Sequence, residues 1–310
     1  MKKVAIIGAG NVGATTAYFV AKERIADVVL LDVVEGMPQS KAEDFLHAGP
    51  LERYNVEITG STNYEAMRDA DVVVHTAGIP RKPGMDRLDL MKTNAGIAKT
   101  AGQAIGEFAP NAVVIVVANP LDIIALAILR ETGFALRHIV GMAGILDSTR
   151  FSYFIAQELG VKPEDVSSMV LGGHGDSMVP LSRYTSVGGF PLTELLDAET
   201  IERLVQRTRI GGGEIVNYLK KGSAFYAPGA SVAQMVAAVI MDRKRVVAAS
   251  AYLRGEYGHR GIFFGVPVIL GKNGVERIIE LELTEEERAA LDLSAEQVRE
   301  AANNLDELLA

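Results

Sequence analysis

Val4-Ala5-Ile6-Ile7-Gly8-Ala9-Gly10-Asn11-Val12-Gly13 opens on an apolar run that ends in three closely spaced glycines. Residues 4–7 have the length and composition of a buried strand, and residues 14–22 continue as a helix. In a strand–turn–helix of this kind each glycine has a separate task. Gly8 permits the tight turn out of the strand, Gly10 lets the backbone approach a pyrophosphate, and Gly13 allows close helix-to-strand packing. Ala9, Asn11 and Val12 fill the loop between them, and the helix N-terminus faces the same negative charge. Asp32 ends the second apolar run, residues 28–31. A carboxylate there can accept hydrogen bonds from the hydroxyls of an adenosine ribose; the alternative is that it caps a turn. Together these residues form a dinucleotide fingerprint. Asp32 would repel the 2′-phosphate of NADP, and Val33-Val34-Glu35-Gly36 offers no Arg to receive it, so NAD is the expected cofactor.

Outward from that motif, apolar runs at 72–76 and 113–118 alternate with helix-length segments. Short Val-rich runs separated by helices imply βαβ units and a parallel sheet covered on both faces. Near residue 145 the pattern changes. A helix over 145–159 is followed by a glycine-rich loop and a helical region over 198–242, interrupted at Gly211-Gly212-Gly213, Gly222 and Pro228. Strand-like runs follow at 246–253, 262–270 and 277–283, with Lys272-Asn273-Gly274 turning between the last two, and a charged helix closes the chain over 284–309. The expected fold class is α/β: an N-terminal Rossmann parallel sheet with helices on both faces over residues 1–144, and a C-terminal α+β domain with an antiparallel sheet over residues 145–310. No linker separates them, so a ligand cleft is expected between the two.

The 310 residues are 48% hydrophobic and carry a formal net charge of −8, which argues against a nucleic-acid partner. The absence of cysteine excludes disulfides, thiolate chemistry and Cys-ligated metals, and no metal site is expected. The apolar run after Met1-Lys2-Lys3 ends at Gly8, too soon for a signal peptide, and no stretch reaches the ~18 apolar residues of a membrane span. A cytoplasmic protein with no membrane partner is expected.

Of the five histidines, His174 lies in the polar loop Gly172-Gly173-His174-Gly175-Asp176, where small neighbours leave a ring accessible. His47, His138 and His259 have ordinary amphipathic or turn contexts, and His75 lies in an apolar strand. Asp147 and Arg150 project from one face of a helix start. They form either a surface ion pair of little energetic weight or a functional pair, and spacing does not choose between these. In the functional reading the carboxylate fixes the tautomer of a histidine while the guanidinium grips a substrate carboxylate. The loop containing Pro80-Arg81-Lys82-Pro83-Gly84-Met85-Asp86-Arg87 is strongly cationic. Asn94 and Val116-Val117-Ala118-Asn119-Pro120 complete the candidates, because strand ends carry ligands in open α/β sheets.

Taken together, the glycine motif, the Arg81–Arg87 loop, Ala118-Asn119-Pro120, Leu146-Asp147-Ser148-Thr149-Arg150 and the His174 loop resemble, over essentially the whole chain, the lactate/malate dehydrogenase family. The chain is most similar to the prokaryotic malate dehydrogenases of lactate-dehydrogenase-like type. The resemblance implies reversible hydride transfer between (S)-malate and NAD, giving oxaloacetate and NADH. It makes His174 the proton acceptor and donor, Asp147 its orienting carboxylate, Arg150 the anchor of the substrate C1 carboxylate, and Arg87, on a closing loop, the group polarising the reacting carbonyl. It places Asn119 near the substrate hydroxyl, Asn94 beside the cofactor, and Val117, Ala118 and Asn119 along the cofactor site. Arg81 stands where lactate enzymes resemble one another in having Gln, and it would pair a second substrate carboxylate; stranding it against pyruvate would cost roughly 2–5 kcal/mol. Ala224 stands where the lactate enzymes place a bulkier Thr. The resemblance also implies a homo-oligomer, a dimer or a tetramer, although the chain starts at its first strand without the N-terminal arm that braces some lactate dehydrogenase tetramers. His75, expected close to the nicotinamide, is either inert or a modulator of pH dependence.

Overall fold

The computed structural model describes residues 1–79 and 87–305. Arg81 and the side chain of Arg87 lie outside the described residues. The first half runs β1 (Lys3–Ile7), α1 (Asn11–Lys22), β2 (Asp27–Leu31), α2 (Met37–Glu52), β3 (Ile58–Ser61), β4 (Val72–His75), α3 (Arg87–Phe108), β5 (Val113–Val116), α4 (Leu121–Thr132) and β6 (Ile139–Gly141). These strands pair in parallel in the order β3-β2-β1-β4-β5-β6. The order reverses between β1 and β4, which opens a crevice at their carboxyl ends. Both faces of the sheet are covered. Val4 and Ile6 of β1 belong to one apolar cluster while Ala5 and Ile7 belong to another, as the two-residue period of a doubly covered strand requires.

The second half continues with α5 (Gly144–Leu159), the short strands β7 (Val166–Ser167), β8 (Val170–Leu171), β9 (Val179–Pro180), β10 (Ser186–Val187) and β11 (Phe190–Pro191), then α6 (Leu192–Leu195), α7 (Ala198–Leu219) and α8 (Tyr226–Ile240). The chain then forms β12 (Arg245–Arg254), β13 (Arg260–Gly271), β14 (Gly274–Ile278) and α9 (Glu285–Asn303). The antiparallel strands β12–β14 do not stand apart. β12 pairs antiparallel with β6 through Ser250 and Gly141, so one nine-stranded sheet runs through both halves. Gly141 makes this junction possible. A Cβ there would fall 2.4 Å from Leu121 Cδ2 and 2.8 Å from Ser250 Cβ.

Several local expectations are corrected. The Gly211-Gly212-Gly213 run does not interrupt its helix; α7 passes straight through it. Tertiary packing holds the helix across the run, because α7 lies against α5 here, and a Cβ on Gly211 would make ordinary contact with the Phe154 ring at 3.5 Å. Pro228 does not break α8 either, because it sits in the first turn, where no helical donor is lost. The real break is the segment between α7 and α8 that contains Gly222, at φ +89°. The last strand is Gly274–Ile278 rather than 277–283. Strands β3 and β6 had no clear apolar signature, being Ile-Thr-Gly-Ser and a three-residue run. The closing helix starts at Glu285, with Thr284 and Glu287 forming a reciprocal cap.

Candidate active site

The glycines after β1 meet three different surroundings. Gly8, at φ +104°, turns the chain with no room for a side chain, since a Cβ would sit 2.6 Å from Thr76 Oγ1 and 2.7 Å from the Ala77 nitrogen. At Gly13 a Cβ would strike the Gly8 carbonyl at 1.8 Å. Around Gly10 no atom of the described residues beyond its chain neighbours lies within 4 Å of that position, so their packing does not require a glycine there. A ligand approaching the backbone would. Gly10 also precedes α1, and no side chain caps that helix, which leaves its first-turn N–H groups for an anion.

Asp32 caps its turn without giving up its capacity for a ribose. One carboxylate oxygen accepts from the Ala9 N–H at 2.8 Å and the other from the Val34 N–H at 3.1 Å, so the side chain pins the glycine loop. Each oxygen retains a lone pair for a ribose hydroxyl. Lys41 of α2 donates to the Ala9 carbonyl and braces the same loop. Sequence reading missed Lys41, whose only signal was a cation on a helix. The open position at Gly10, the uncapped helix and the anchored carboxylate fit the adenosine diphosphate portion of NAD.

Farther along the crevice, the Val117 and Ala118 N–H groups both donate to the His75 carbonyl, at 2.9 and 3.3 Å, which fixes the chain leaving β5. Asn119 is exposed beyond it, joined to Pro120 by a cis peptide. Asn94 of α3 is buried. Its amide donates to the carbonyls of Asn119, at 2.7 Å, and Ile79, at 3.2 Å, while its oxygen accepts from the Ile79 N–H at 2.8 Å. Asn94 thus clamps the two loops that follow β4 and β5. His75 is fully buried, and neither ring nitrogen has a hydrogen-bond partner among the described residues. Burial pushes its pKa down to about 4, so the ring is neutral at physiological pH.

The chemical group assembles across the second half. His174 sits on the loop between β8 and β9, fastened at both sides. The Gly172 N–H donates to the Gly265 carbonyl of β13 at 2.9 Å, and the Gly173 N–H donates to Ser294 Oγ of α9 at 2.9 Å. Gly265 must be glycine, because a Cβ would lie 2.3 Å from the Gly172 carbonyl oxygen. On α5, Asp147 is almost wholly enclosed, its side chain 2% exposed, and its two oxygens have different partners. Oδ2 lies 2.8 Å from His174 Nδ1 and Oδ1 accepts from Arg150 at 3.1 Å. The choice left open by the i, i+3 spacing falls against the surface ion pair, since Arg150 and His174 side chains are only 16% and 15% exposed. Arg150 has its room from α7, where a Cβ on Gly212 would come 3.6 Å from the guanidinium. Burial alone would lower the His174 pKa, but the charge and hydrogen bond of Asp147 outweigh it and the net shift is upward; Arg150 opposes and Asp122 assists. Asp122 and Ser250, buried and hydrogen-bonded to each other at 2.6 Å, carried no recognisable motif of their own. Among the described residues no cluster of His, Cys, Asp or Glu could hold a metal, and no helix is long and apolar enough to cross a membrane.

A dinucleotide crevice that leads to a carboxylate-held imidazole beside a guanidinium is the equipment of an NAD-dependent oxidoreductase. Sequence models of the lactate/malate dehydrogenase NAD-binding domain and of the lactate/malate dehydrogenase alpha/beta C-terminal domain match residues 2–141 and 145–308, and the chain belongs to that family. It is 54% identical to a malate dehydrogenase of Thermomicrobium roseum over 99% of both chains. Its fold superposes on the apo malate dehydrogenase of Picrophilus torridus with a TM-score of 0.97 at 46% identity, covering 99% of this chain and 98% of that one. A lactate dehydrogenase of Cryptosporidium parvum, complexed with lactic acid and nicotinamide adenine dinucleotide, is nearly as similar: TM-score 0.95 and 42% identity over 98% of each chain. Overall shape therefore does not separate the two substrates.

Proposed function

We propose that this chain interconverts (S)-malate and oxaloacetate with NAD, using His174 as proton acceptor and donor. The observation that carries the reading is the Asp147 carboxylate shared between His174 and Arg150. With Nδ1–H donated to Asp147, Nε2 is the ring atom left to exchange a proton with the substrate hydroxyl. Arg150 keeps donors beyond its bond to Asp147 for the C1 carboxylate. Asn119 would bond the hydroxyl, and Arg87 would stabilise charge on the carbonyl oxygen. NAD, when bound, supplies the hydride acceptor. In oxidation neutral His174 takes the hydroxyl proton; in reduction the imidazolium returns it. The raised pKa keeps a larger imidazolium fraction near neutrality, which favours the reductive direction there.

Malate is preferred over lactate because of Arg81, whose guanidinium calls for a second carboxylate, with the small Ala224 as a further pointer. The relatives named above that share about half their residues with this chain include malate dehydrogenases, which supports the same choice. The reading divides the chain into an NAD-binding part, residues 1–144, and a substrate part, residues 145–310, and takes the enzyme as a cytoplasmic homo-oligomer, dimer or tetramer, serving the tricarboxylic acid cycle. NADH oxidation measured with oxaloacetate and pyruvate side by side tests it. A strong preference for oxaloacetate, moved toward pyruvate by Arg81→Gln, is expected; preference for pyruvate in the unaltered protein overturns the substrate assignment.

A further inference from the structure

The Asp147 end of the carboxylate–imidazole pair is held firmly by its own helix. Next to it in α5, the Ser148 Oγ accepts from the Val170 N–H of β8 at 3.0 Å, and the Ser148 carbonyl accepts from Ser168 Oγ at 2.7 Å. The start of α5 is also pressed onto that strand, since a Cβ on Gly144 would lie 2.5 Å from the Val170 carbonyl oxygen. β8 ends at Leu171, and only Gly172 and Gly173 stand between it and His174. Glycines are the residues least able to hold a backbone direction by themselves. Ser294, in the middle of α9, supplies a hold from outside. It is 1% exposed, and its Oγ accepts from the Gly173 N–H at 2.9 Å. A Cβ on Gly172 would stand 3.0 Å from that oxygen, and one on Gly173 would stand 3.0 Å from Val298 Cγ2, one turn further along α9. The helix therefore bears on both glycines.

We propose that Ser294 is a positioning residue for proton transfer: its hydroxyl fixes the backbone that enters His174 and so keeps the ring at bonding distance from Asp147. The proposal rests on the acid/base role given to His174 above. A hydroxyl inside a helix ordinarily turns back on its own helix, as Thr16, Thr132 and Thr208 do by donating to the carbonyl four residues earlier. Ser294 instead reaches a backbone N–H 121 residues away. The helix that carries it is itself fastened. Glu287 takes two hydrogen bonds from Arg183, at 2.9 and 3.1 Å, Arg288 donates to the Tyr257 carbonyl at 2.9 Å, and Asp292 lies 2.9 Å from His259 Nε2. Asp147 and His174 are thus referred to one frame by two serines, Ser148 beside the carboxylate and Ser294 beside the ring. Without Ser294 the two glycines could turn, and the 2.8 Å contact between Nδ1 and Asp147 would no longer be enforced.

The test is Ser294→Ala in the full chain, a change that suits a helix and removes only the hydroxyl. Three readouts apply. The Gly173 amide of the unaltered protein should be protected from exchange with deuterium, and the variant should exchange it about tenfold faster or more, as the loss of one buried hydrogen bond requires. The low-field proton resonance of the His174 Nδ1–H bonded to Asp147, assigned by its loss in His174→Asn, should move upfield or broaden away in Ser294→Ala. The kcat for malate oxidation should fall about tenfold or more while NADH affinity stays unchanged, because a small displacement of the acid/base group costs rate without touching the cofactor. A serine that merely packs α9 would lower the melting temperature and leave the resonance and the kcat of the folded variant as they were; that result overturns the proposal. Rapid exchange of the Gly173 amide in the unaltered protein overturns it too, without recourse to a variant. Neither NMR measurement needs substrate or cofactor, so the two readings fail separately. If exchange and resonance respond but the unaltered protein does not turn over malate, the proposed reaction is wrong and the positioning stands; turnover with an unmoved resonance in Ser294→Ala leaves the reaction and removes Ser294 from it.

Discussion

Replacing His75 by Val should make the protein more stable, and the gain should grow as the solution is acidified. His75 is the last residue of β4, paired with Ile7 on one side and Val116 on the other, and it is completely buried. At neutral pH the cost of the native ring is that of burying polar nitrogens without partners, about 1–3 kcal/mol. Val has a volume close to that of His and suits a strand, so a gain of about 1–2 kcal/mol is expected after some loss of packing. Acid adds a second term. The folded pKa of about 4 lies below the ordinary 6.5, so between those values the unfolded chain binds a proton that the folded chain does not. Stability associated with the neutral ring is present above pH 6.5 and is lost as pH falls toward 4. The full shift of 2.5 units, from 6.5 to about 4, corresponds to about 3 kcal/mol, of which roughly 2 kcal/mol is lost by about pH 5. Chemical denaturation of both proteins at about pH 7.5 and about pH 5, at one protein concentration, measures this directly. The Val variant should lose less than the native chain over that interval by roughly 2 kcal/mol. Equal acid losses would show that His75 is not the sensitive group. A variant less stable at neutral pH would show that the ring is partnered.

His174→Asn should leave NADH affinity intact and reduce turnover by about 10²–10⁴-fold; in the native enzyme malate oxidation should rise with pH through a group titrating above 6.5, as the raised His174 requires, and retained turnover in the variant removes His174 from its role. Gly10→Ala should fold normally, since nothing among the described residues meets its Cβ, yet bind NADH more weakly in a fluorescence titration. Gly13→Ala, with a Cβ 1.8 Å from the Gly8 carbonyl, should instead be strongly destabilised in a thermal melt, and equal behaviour of the two variants would contradict the separate tasks given to these glycines. Gly212→Val places extra methyl groups against the Arg150 guanidinium, where even a Cβ stands at 3.6 Å; the KM for malate should rise about tenfold or more with NADH affinity unchanged, and an unaltered KM would mean that α7 does not set the position of Arg150.

The legible parts of the molecule were those in which the chain's local pattern carries the physics. An apolar run, a glycine turn and a helix are contiguous, so the dinucleotide crevice could be read from residues 4–13 and Asp32 without coordinates. The loop around His174 was legible as a titratable ring among glycines and polar residues, but the fold encloses that ring to 15% exposure, so the accessibility its small neighbours suggested was not there. Gly211-Gly212-Gly213 misled because helix propensity is a local quantity. In isolation three glycines weaken a helix, but here α7 lies against α5 beside Phe154 and Arg150, and packing outweighs propensity. Strands β3 and β6 were missed because so few residues, some of them polar, leave no period to detect.

Composition and motif, then, were enough to determine the class of fold, the cofactor crevice and the chemical types available for the reaction, because each of these depends on residues adjacent in the chain. Tertiary structure alone decided how distant groups share partners. It gave one oxygen of Asp147 to His174 and the other to Arg150, turned Asn94 into a clamp on two loops, and left His75 in the core with no ring partner among the described residues. It also brought Asp122 to Ser250 across 128 residues of chain by carrying β12 onto the edge of β6. Hydrogen bonds and buried charges act over a few ångströms of space with no regard for sequence separation, so their pairing becomes visible only when the sheet has closed.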